Sequence, residues 1–300
     1  MTAADTAAAG AGALTARHRP MLGWAIADTR AVAWRNLTAL RRQPQLLVFS
    51  TIQPVLLVLM FRYVFGGAIT IPGVDYVNYL MPGVFAQVVV FGATQTAVGL
   101  AEDLNQGLIE RFRSLPMARS AVLAGRTMAD LARNVFVVVL MLAIGYLVGF
   151  RVQTGLMGLL GGVVVIVYFG FSLTWVFASL GLVAGSAETA QAMAFPVLAP
   201  LVFVSSAFVA VDTMPGWLQP FARYQPVSVA IDAVRSLMLG GQFHDPGRVL
   251  GSLLWSTAIV AVFAPLAVLH SSEPSTRPGS WNWPPSISER TASMATLTGW

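Results

Sequence analysis

Between Leu156 and Ala184 the chain runs for 29 residues without an aspartate, glutamate, histidine or arginine. Such a run has no polar face to offer water, and as a helix it is longer than the roughly 30 Å hydrocarbon layer of a bilayer. Five further apolar segments are marked by charged residues near their ends, at approximately 46–66, 79–101, 135–150, 190–211 and 249–269. An ionisable side chain at the bilayer centre costs at least ~2.5 kcal/mol, so charges tend to fix span boundaries. The six segments predict an all-α integral membrane protein with six transmembrane helices in one domain over 22–269. The third is short, but Arg133 and Arg151 frame it and can snorkel.

Composition closes off the alternatives. Hydrophobic residues make up 56% and charged residues 10% of the 300, and the mean hydropathy is +0.70, values that exclude a soluble globule with a polar surface. There is no cysteine, which rules out disulfides and thiolate chemistry. His18, His244 and His270 are far apart and suggest no metal cluster. Lysine is absent as well: all 18 basic residues are arginine. The chain therefore has no P-loop of the type whose lysine reaches nucleotide phosphates, and no lysine for Schiff-base chemistry.

Placing the N-terminus inside puts 13 arginines on the cytoplasmic side, and only Arg62, Arg151, Arg223, Arg235 and Arg248 outside. That asymmetry predicts cytoplasmic N- and C-termini at the cell membrane. Residues 1–21 read as a disordered cytoplasmic tail, since Arg17 and Arg19 follow their Ala-rich part where a signal peptide would lead with charge. Residues 270–300 read as a second, Ser/Pro/Thr-rich tail. Residues 22–42, with Ile26, Ala33, Leu37 and Leu40 near one helical face and four arginines, fit either a helix lying in the inner interface or a solvated linker.

Between the fifth and sixth spans, "DTMPGWLQPFARYQPVSVAIDAVRSLMLGG" is too apolar for a simple loop and too interrupted by Pro215, Pro220 and Pro226 for a span. A re-entrant outer hairpin fits it. Asp232 and Arg235 are spaced to pair on one helix face, as a local stabiliser or as a substrate contact. Arg62, near the outer end of span one, fits snorkelling or a gating role. Pro196 and Pro200 can kink span five beside a transport path. Arg62, Pro196, Pro200, Asp232 and Arg235 are thus the substrate-path candidates. The pairs Gly158/Gly162 and Gly181/Gly185 permit close helix approach, a candidate permease–permease contact. Arg126, Asp130 and Arg133 have the spacing of a local ion-pair ladder at the entry to span three.

The densest charge follows span two, in "DLNQGLIERFRSLPMARS". Leu104, Leu108, Ile109, Phe112 and Leu115 line one helical face, charged and polar residues cover the rest, and Pro116 stops the helix. A polar face bearing both signs suits a protein partner better than a lipid surface alone.

Here "NQGLIERFRSLPMARSAVLAGRTMADLARN" resembles the cytoplasmic signature of ABC-2 type exporter permeases, in the subgroup typified by daunorubicin-resistance permeases. "LVFVSSAFVAVDTMPGWLQPFARYQPVSVAIDAVRSLMLGG" resembles the same family's passage from span five into the outer hairpin. The resemblance implies a permease that pairs with a second copy, as a homodimer, and with cytoplasmic ATPase subunits that carry ATP and magnesium, leaving no cofactor on this chain. It implies that Gly107, Leu108, Ile109, Glu110, Arg111, Phe112, Arg113, Leu115 and Pro116 form the coupling helix that receives the ATPase's motion. Glu188, in the turn between spans four and five, fits a second ATPase contact or a solvated loop charge. The expected cargo is an amphipathic drug, antibiotic or lipid-like molecule. The expected partners are the ATPase, a second permease and the bilayer, with no nucleic acid. The alternative is a secondary transporter or channel subunit not driven by ATP, although no acidic pair or proton-relay series lies deep in any span. An enzyme would need a nucleophile, base or metal constellation that the sequence does not display.

Single cysteines at Ala118 and Ala187 are expected to react with an impermeant thiol reagent only from the cytoplasmic side, and one at Gly216 only from outside. Labelling of the Ala118 variant in intact cells would reverse the orientation.

Overall fold

The structure, a computed structural model, describes residues 44–67, 71–106 and 119–272. The segments expected as an interfacial helix (22–42), as tails (1–21 and beyond 272) and as the coupling helix (107–116) lie outside the described residues. Eight helices are described. α1 (Pro44–Met60) continues into a π-helical turn (Phe61–Phe65). α2 (Tyr76–Asn105), α3 (Arg119–Val148), α4 (Gly155–Val183) and α5 (Ala187–Phe203) follow. The short α6 (Gln219–Tyr224) and α7 (Pro226–Met238) precede α8 (Pro246–Ser272).

Four of these helices are long and apolar enough to cross a bilayer: Tyr76–Asn105, Leu123–Val148, Gly155–Val183 and Pro246–His270. The apolar helices over Thr51–Phe65 and Ala187–Phe203 are shorter. The six expected segments thus occur as helices with changed bounds, four of them long enough to cross. The largest change is in the third, expected over 135–150, whose helix starts at Arg119. Arg126, Asp130 and Arg133 do not end it, because each finds a polar partner on α2 or on its own helix. The sixth extends past 270 to Ser272, shortening the expected tail.

α2 is the hub. In its most apolar stretch 67% of residues are buried inside the bundle, against 17% in α8. It packs on α4, α5, α3 and α7. A helix that is apolar on every side must be enclosed, by protein or by lipid. For α2 the enclosure is protein, with Leu80, Val84, Phe85, Val89 and Ala93 fully buried. On the peripheral helices, exposed apolar side chains such as Leu56, Val139, Val164, Phe195 and Leu254 face outward, as lipid solvation requires.

Close approach depends on missing side chains. A Cβ on Gly83 of α2 would lie 2.7 Å from the Ala207 Cα. Gly158 and Gly162 of α4 leave room for Leu237 and Met238 of α7, and a Cβ at Gly162 would stand 2.7 Å from the Met238 Cε. These two glycines therefore serve packing within the chain, which corrects their reading as a permease–permease contact. Gly181 likewise faces Ala97 of α2.

The fifth span departs most from expectation. Apolar sequence continues to Val211, yet the helix ends at Phe203 and the backbone from Val204 turns irregular. Non-helical backbone at membrane depth survives only where the protein satisfies its polar groups. Here the bundle supplies partners for several of them. The Val204 carbonyl accepts from Gln225 Nε2. The Ser206 carbonyl accepts from Arg235 Nη2 at 2.6 Å and from the Tyr79 hydroxyl at 3.4 Å. Arg235 Nη2 also reaches the Ala207 carbonyl (3.4 Å), and the Tyr76 hydroxyl donates to the Phe208 carbonyl (3.1 Å). The Ser206 amide donates to Ser228 Oγ at 3.1 Å. Tyr76 and Tyr79 belong to the start of α2, Gln225 caps α7, and Ser228 and Arg235 lie within α7, so the irregular stretch is wedged between these two helices.

Arg235 is 2% exposed and also donates to the Tyr79 carbonyl from Nε (3.1 Å) and Nη2 (3.0 Å). Its guanidinium lies 3.6 Å from the Tyr79 ring centroid, and Asp232 pairs with it at 3.1 Å. Removing the fork would leave several buried carbonyls without donors. Arg235→Met is therefore expected to lower stability by about 3 kcal/mol, and Arg235→Lys to recover only part, since an ammonium cannot fork across three carbonyls. Thermal unfolding of the purified chain in detergent checks this; equal stability of parent and Met variant would refute it.

Candidate functional site

The helices run up and down, so the described chain has two ends. One, the connection end, carries the α2–α3 and α4–α5 connections. The other, the hairpin end, carries α6, α7 and the irregular stretch after α5.

At the connection end, α2 and α3 are tied by a polar ladder in antiparallel register. Arg126 Nη1 donates to Asp103 Oδ2, forming an ion pair. The Thr96 hydroxyl donates to Asp130 Oδ2 (2.7 Å), Asp130 Oδ1 pairs with Arg133 (3.5 Å), and Arg133 Nη2 donates to the Gly92 carbonyl (2.5 Å). These charged side chains are only 12–28% exposed. The local ladder expected from Arg126, Asp130 and Arg133 is thus half right in its partners. Asp130 and Arg133 do pair along α3, while Arg126 reaches across to Asp103.

The ladder extends over α2 from Gly92 to Asp103, about 16 Å of helix at ~1.5 Å per residue. It ends where α2 hands over to residues 107–118, so the two helices flanking that segment are locked to each other. Gly107, Leu108, Ile109, Glu110, Arg111, Phe112, Arg113, Leu115 and Pro116 lie outside the described residues. Glu188 sits exposed at the same end, in the first turn of α5, where a carboxylate is favoured by the helix dipole. Ser186 caps that helix by accepting the Thr189 amide at 3.1 Å. Glu188 is therefore placed on the connection-end surface.

The substrate-path candidates separate. Pro196 and Pro200 are exposed on the outward face of α5, opposite the buried Ala190, Ala194, Leu198 and Val202 that pack on the bundle. Arg235 is spent on backbone carbonyls inside the bundle. Asp232 remains 28% exposed, accepts from Ser206 Oγ at 2.9 Å and lies 3.9 Å from Arg248. Arg62 lies on the π-helical turn after α1, beside Gly149. α7, expected as part of a re-entrant hairpin, packs almost wholly against α2, α4 and α8. Its last carbonyls are taken up by the α3–α4 loop, where Gln153 N donates to Met238 O at 2.9 Å and Thr154 Oγ1 to Leu237 O. Tyr79, Ser206, Thr96 and Asp103 carry much of both networks, and sequence reading did not single them out in these roles. Their partners lie 22 to 156 residues away along the chain, so no local spacing reveals them.

This arrangement, an apolar helical bundle with outward lipid-type faces and buried cross-helix polar networks, defines a multi-pass membrane protein. Residues 27–239 match the ABC-2 type transporter family, and the chain belongs to it. It is 39% identical over 256 residues to a daunorubicin resistance ABC transporter permease protein of Streptomyces coeruleorubidus, covering 85% of this chain and 89% of that one. It is 29% identical over 245 residues to a protein of Mycobacterium tuberculosis described as a probable doxorubicin resistance ABC transporter permease, covering 81% and 88%.

The Asp103–Arg126 bridge is testable by charge exchange. With both side chains about a quarter exposed, Asp103→Arg or Arg126→Asp alone is expected to cost about 2 kcal/mol, less than a fully buried pair. The double exchange is expected to restore most of it. A double-mutant cycle on thermal stability that gives no coupling would remove the bridge from the fold's energetics.

Proposed function

We propose that this chain is the membrane permease subunit of an ATP-driven exporter that moves an amphipathic drug, antibiotic or lipid-like molecule out of the cell. The single observation that carries the reading is the near full-length relationship to permeases named for anthracycline resistance. The lack of lysine supports a division of labour, because a chain without a P-loop lysine needs another polypeptide to supply nucleotide energy. In this reading a separate ATPase subunit binds ATP and magnesium, a second permease copy completes the membrane unit, and both termini face the cytoplasm.

The ATPase engages residues Gly107 to Pro116, with Phe112 seated in a groove of its surface and Glu110 setting register by charge. Glu188 offers a second contact at the same end. A push on the segment reaches α2 and α3 together, because the Asp103–Arg126 and Thr96–Asp130–Arg133 contacts keep the two helices from moving separately. α2 is packed on α4 and α5 along its length, so its tilt rearranges the middle of the bundle. The prolines of α5 lie on its outward face, where a path between two permease copies would run, and the part-exposed Asp232 lies at the hairpin end of that path. No covalent chemistry takes place on this chain.

Purified alone, the chain is expected to hydrolyse no ATP above background. Combined with its ATPase it is expected to give hydrolysis that responds to transported substrate. Phe112→Ala should insert normally while weakening ATPase association by about thirtyfold, the effect of losing a buried aromatic anchor worth ~2 kcal/mol, and should abolish export. Glu110→Arg should have a milder, salt-dependent effect. Parent-like ATPase binding and export in both variants would defeat the coupling assignment.

A further inference from the structure

Seven arginine side chains fall in the described bundle, and five of them are ion-paired. Arg126 pairs with Asp103, Arg133 with Asp130, Arg223 with Asp212 and Arg235 with Asp232, and Arg248 lies between Asp232 and Asp245. The other two, Arg62 and Arg151, reach no carboxylate among the described residues, and they flank the same turn. The Arg62 guanidinium is so near Gly149 that a Cβ there would lie 3.9 Å from its Nη2. Two residues on, Arg151 folds back over the end of α3. Its Nη1 donates to the carbonyls of Tyr146 (2.7 Å) and Phe150 (2.8 Å), and its guanidinium stands 5.7 Å from the Tyr146 ring centroid. Those bonds fix the guanidinium while leaving its Nε and Nη2 without a partner among the described residues. Gly149, at φ +113, makes the tight turn that ends α3, so Arg62 approaches this turn from one side and Arg151 follows it in the chain.

Two cations about one turn, neither with a carboxylate partner among the described residues, leave net positive charge there. What surrounds them is apolar and open: Leu147 is 86% exposed, Tyr63 73% and Val64 68%. In a membrane protein such side chains are solvated by acyl chains, and tyrosines collect at the headgroup level. A phosphate is the anion whose geometry a guanidinium fork matches.

We propose that Arg62 and Arg151 form a headgroup site for an anionic membrane phospholipid, with the phosphate between the two guanidinium groups and the acyl chains along Tyr63, Val64 and Leu147. A bound lipid there would neutralise the pair and bridge the π-helical end of α1 to the end of α3. The same phosphate chemistry exists on soluble phosphate esters, but the open apolar skirt favours the lipid.

The test uses the full chain in detergent with defined lipids added, read by native mass spectrometry. Phosphatidylglycerol is expected to be retained over phosphatidylcholine. The double variant Arg62→Gln/Arg151→Gln should lose about thirtyfold in phosphatidylglycerol affinity, the worth of two cations near an anionic surface. Arg223→Gln, an arginine already paired with Asp212, should retain the lipid like the parent. Equal retention of the two lipids, or an unaffected double variant, overturns the proposal. Displacement of phosphatidylglycerol by soluble glycerol phosphate at matched concentration also overturns it, by making the site one for free anions. Should the double variant fail to fold, the parent alone decides. Phosphatidylglycerol carrying a photoreactive headgroup is expected to cross-link to peptides containing 61–65 and 146–151, and cross-links confined elsewhere count against the site.

Discussion

The bundle depends on one buried cation. Arg235 lies where the chain abandons helical structure after Phe203 while still inside apolar surroundings, and its fork supplies donors to the carbonyls of Tyr79, Ser206 and Ala207. An apolar residue would leave these groups without this donor in a medium without water, and a lysine would serve only some of them. The cation in turn is tolerated because Asp232 balances its charge and the Tyr79 ring covers its face. The burial that would be prohibitive for an isolated arginine thus becomes the condition for ending α5 early. That early end lets the chain fold back through α6 and α7 into the bundle.

Because α7 is inserted in this way, α2 acquires neighbours at both ends. At the hairpin end it meets α7 and the irregular stretch through Tyr76, Tyr79 and Gly83. At the connection end it is laced to α3 through Gly92, Thr96 and Asp103. Between these regions its contacts are mainly apolar, with Val84, Phe85 and Val89 fully buried and Gln87 the polar exception. Directional bonds resist sliding, whereas apolar contacts accept rotamer changes and small tilts at modest cost. The hub helix is therefore clamped at its ends and compliant in the middle, the distribution a bundle needs if a force at one end is to reshape its centre.

Much of this was legible in the sequence because the bilayer imposes a strong filter. Runs such as Leu156 to Ala184 have a single outcome, and α4 covers Gly155–Val183, close to its expected bounds. Charge-based boundaries fail where a charge has a partner. Arg133 read as the edge of span three, but it bonds to the Gly92 carbonyl and to Asp130, so the helix continues through it to Arg119. Hydropathy fails at α5 for the opposite reason: residues 204–211 are apolar enough to extend the span, and the break becomes visible only once Arg235, Gln225 and Tyr76 are seen to take its carbonyls. Asp232 and Arg235 were recognisable as a pair by spacing, yet spacing could not tell that the arginine faces backbone and the aspartate stays partly open. The small-residue pattern at Gly158 and Gly162 signalled close packing correctly and left the partner open; it is α7 of the same chain.

The distribution of charge gives the last constraint. In a low-dielectric setting an arginine without a counter-charge costs far more than one that is paired, so natural sequences place unpaired cations where something outside the protein supplies the anion. Arg223, Arg235 and Arg248 share three aspartates at the hairpin end, and Arg126 and Arg133 share two at the connection end. Each cluster is thus neutral, so neither carries net charge into the apolar surroundings of the bundle. Arg62 and Arg151 break that pattern on the periphery, beside exposed apolar side chains. The internal networks thus hold helices to one another, while the unpaired arginines connect the outer surface of α1 and α3 to the lipid around them.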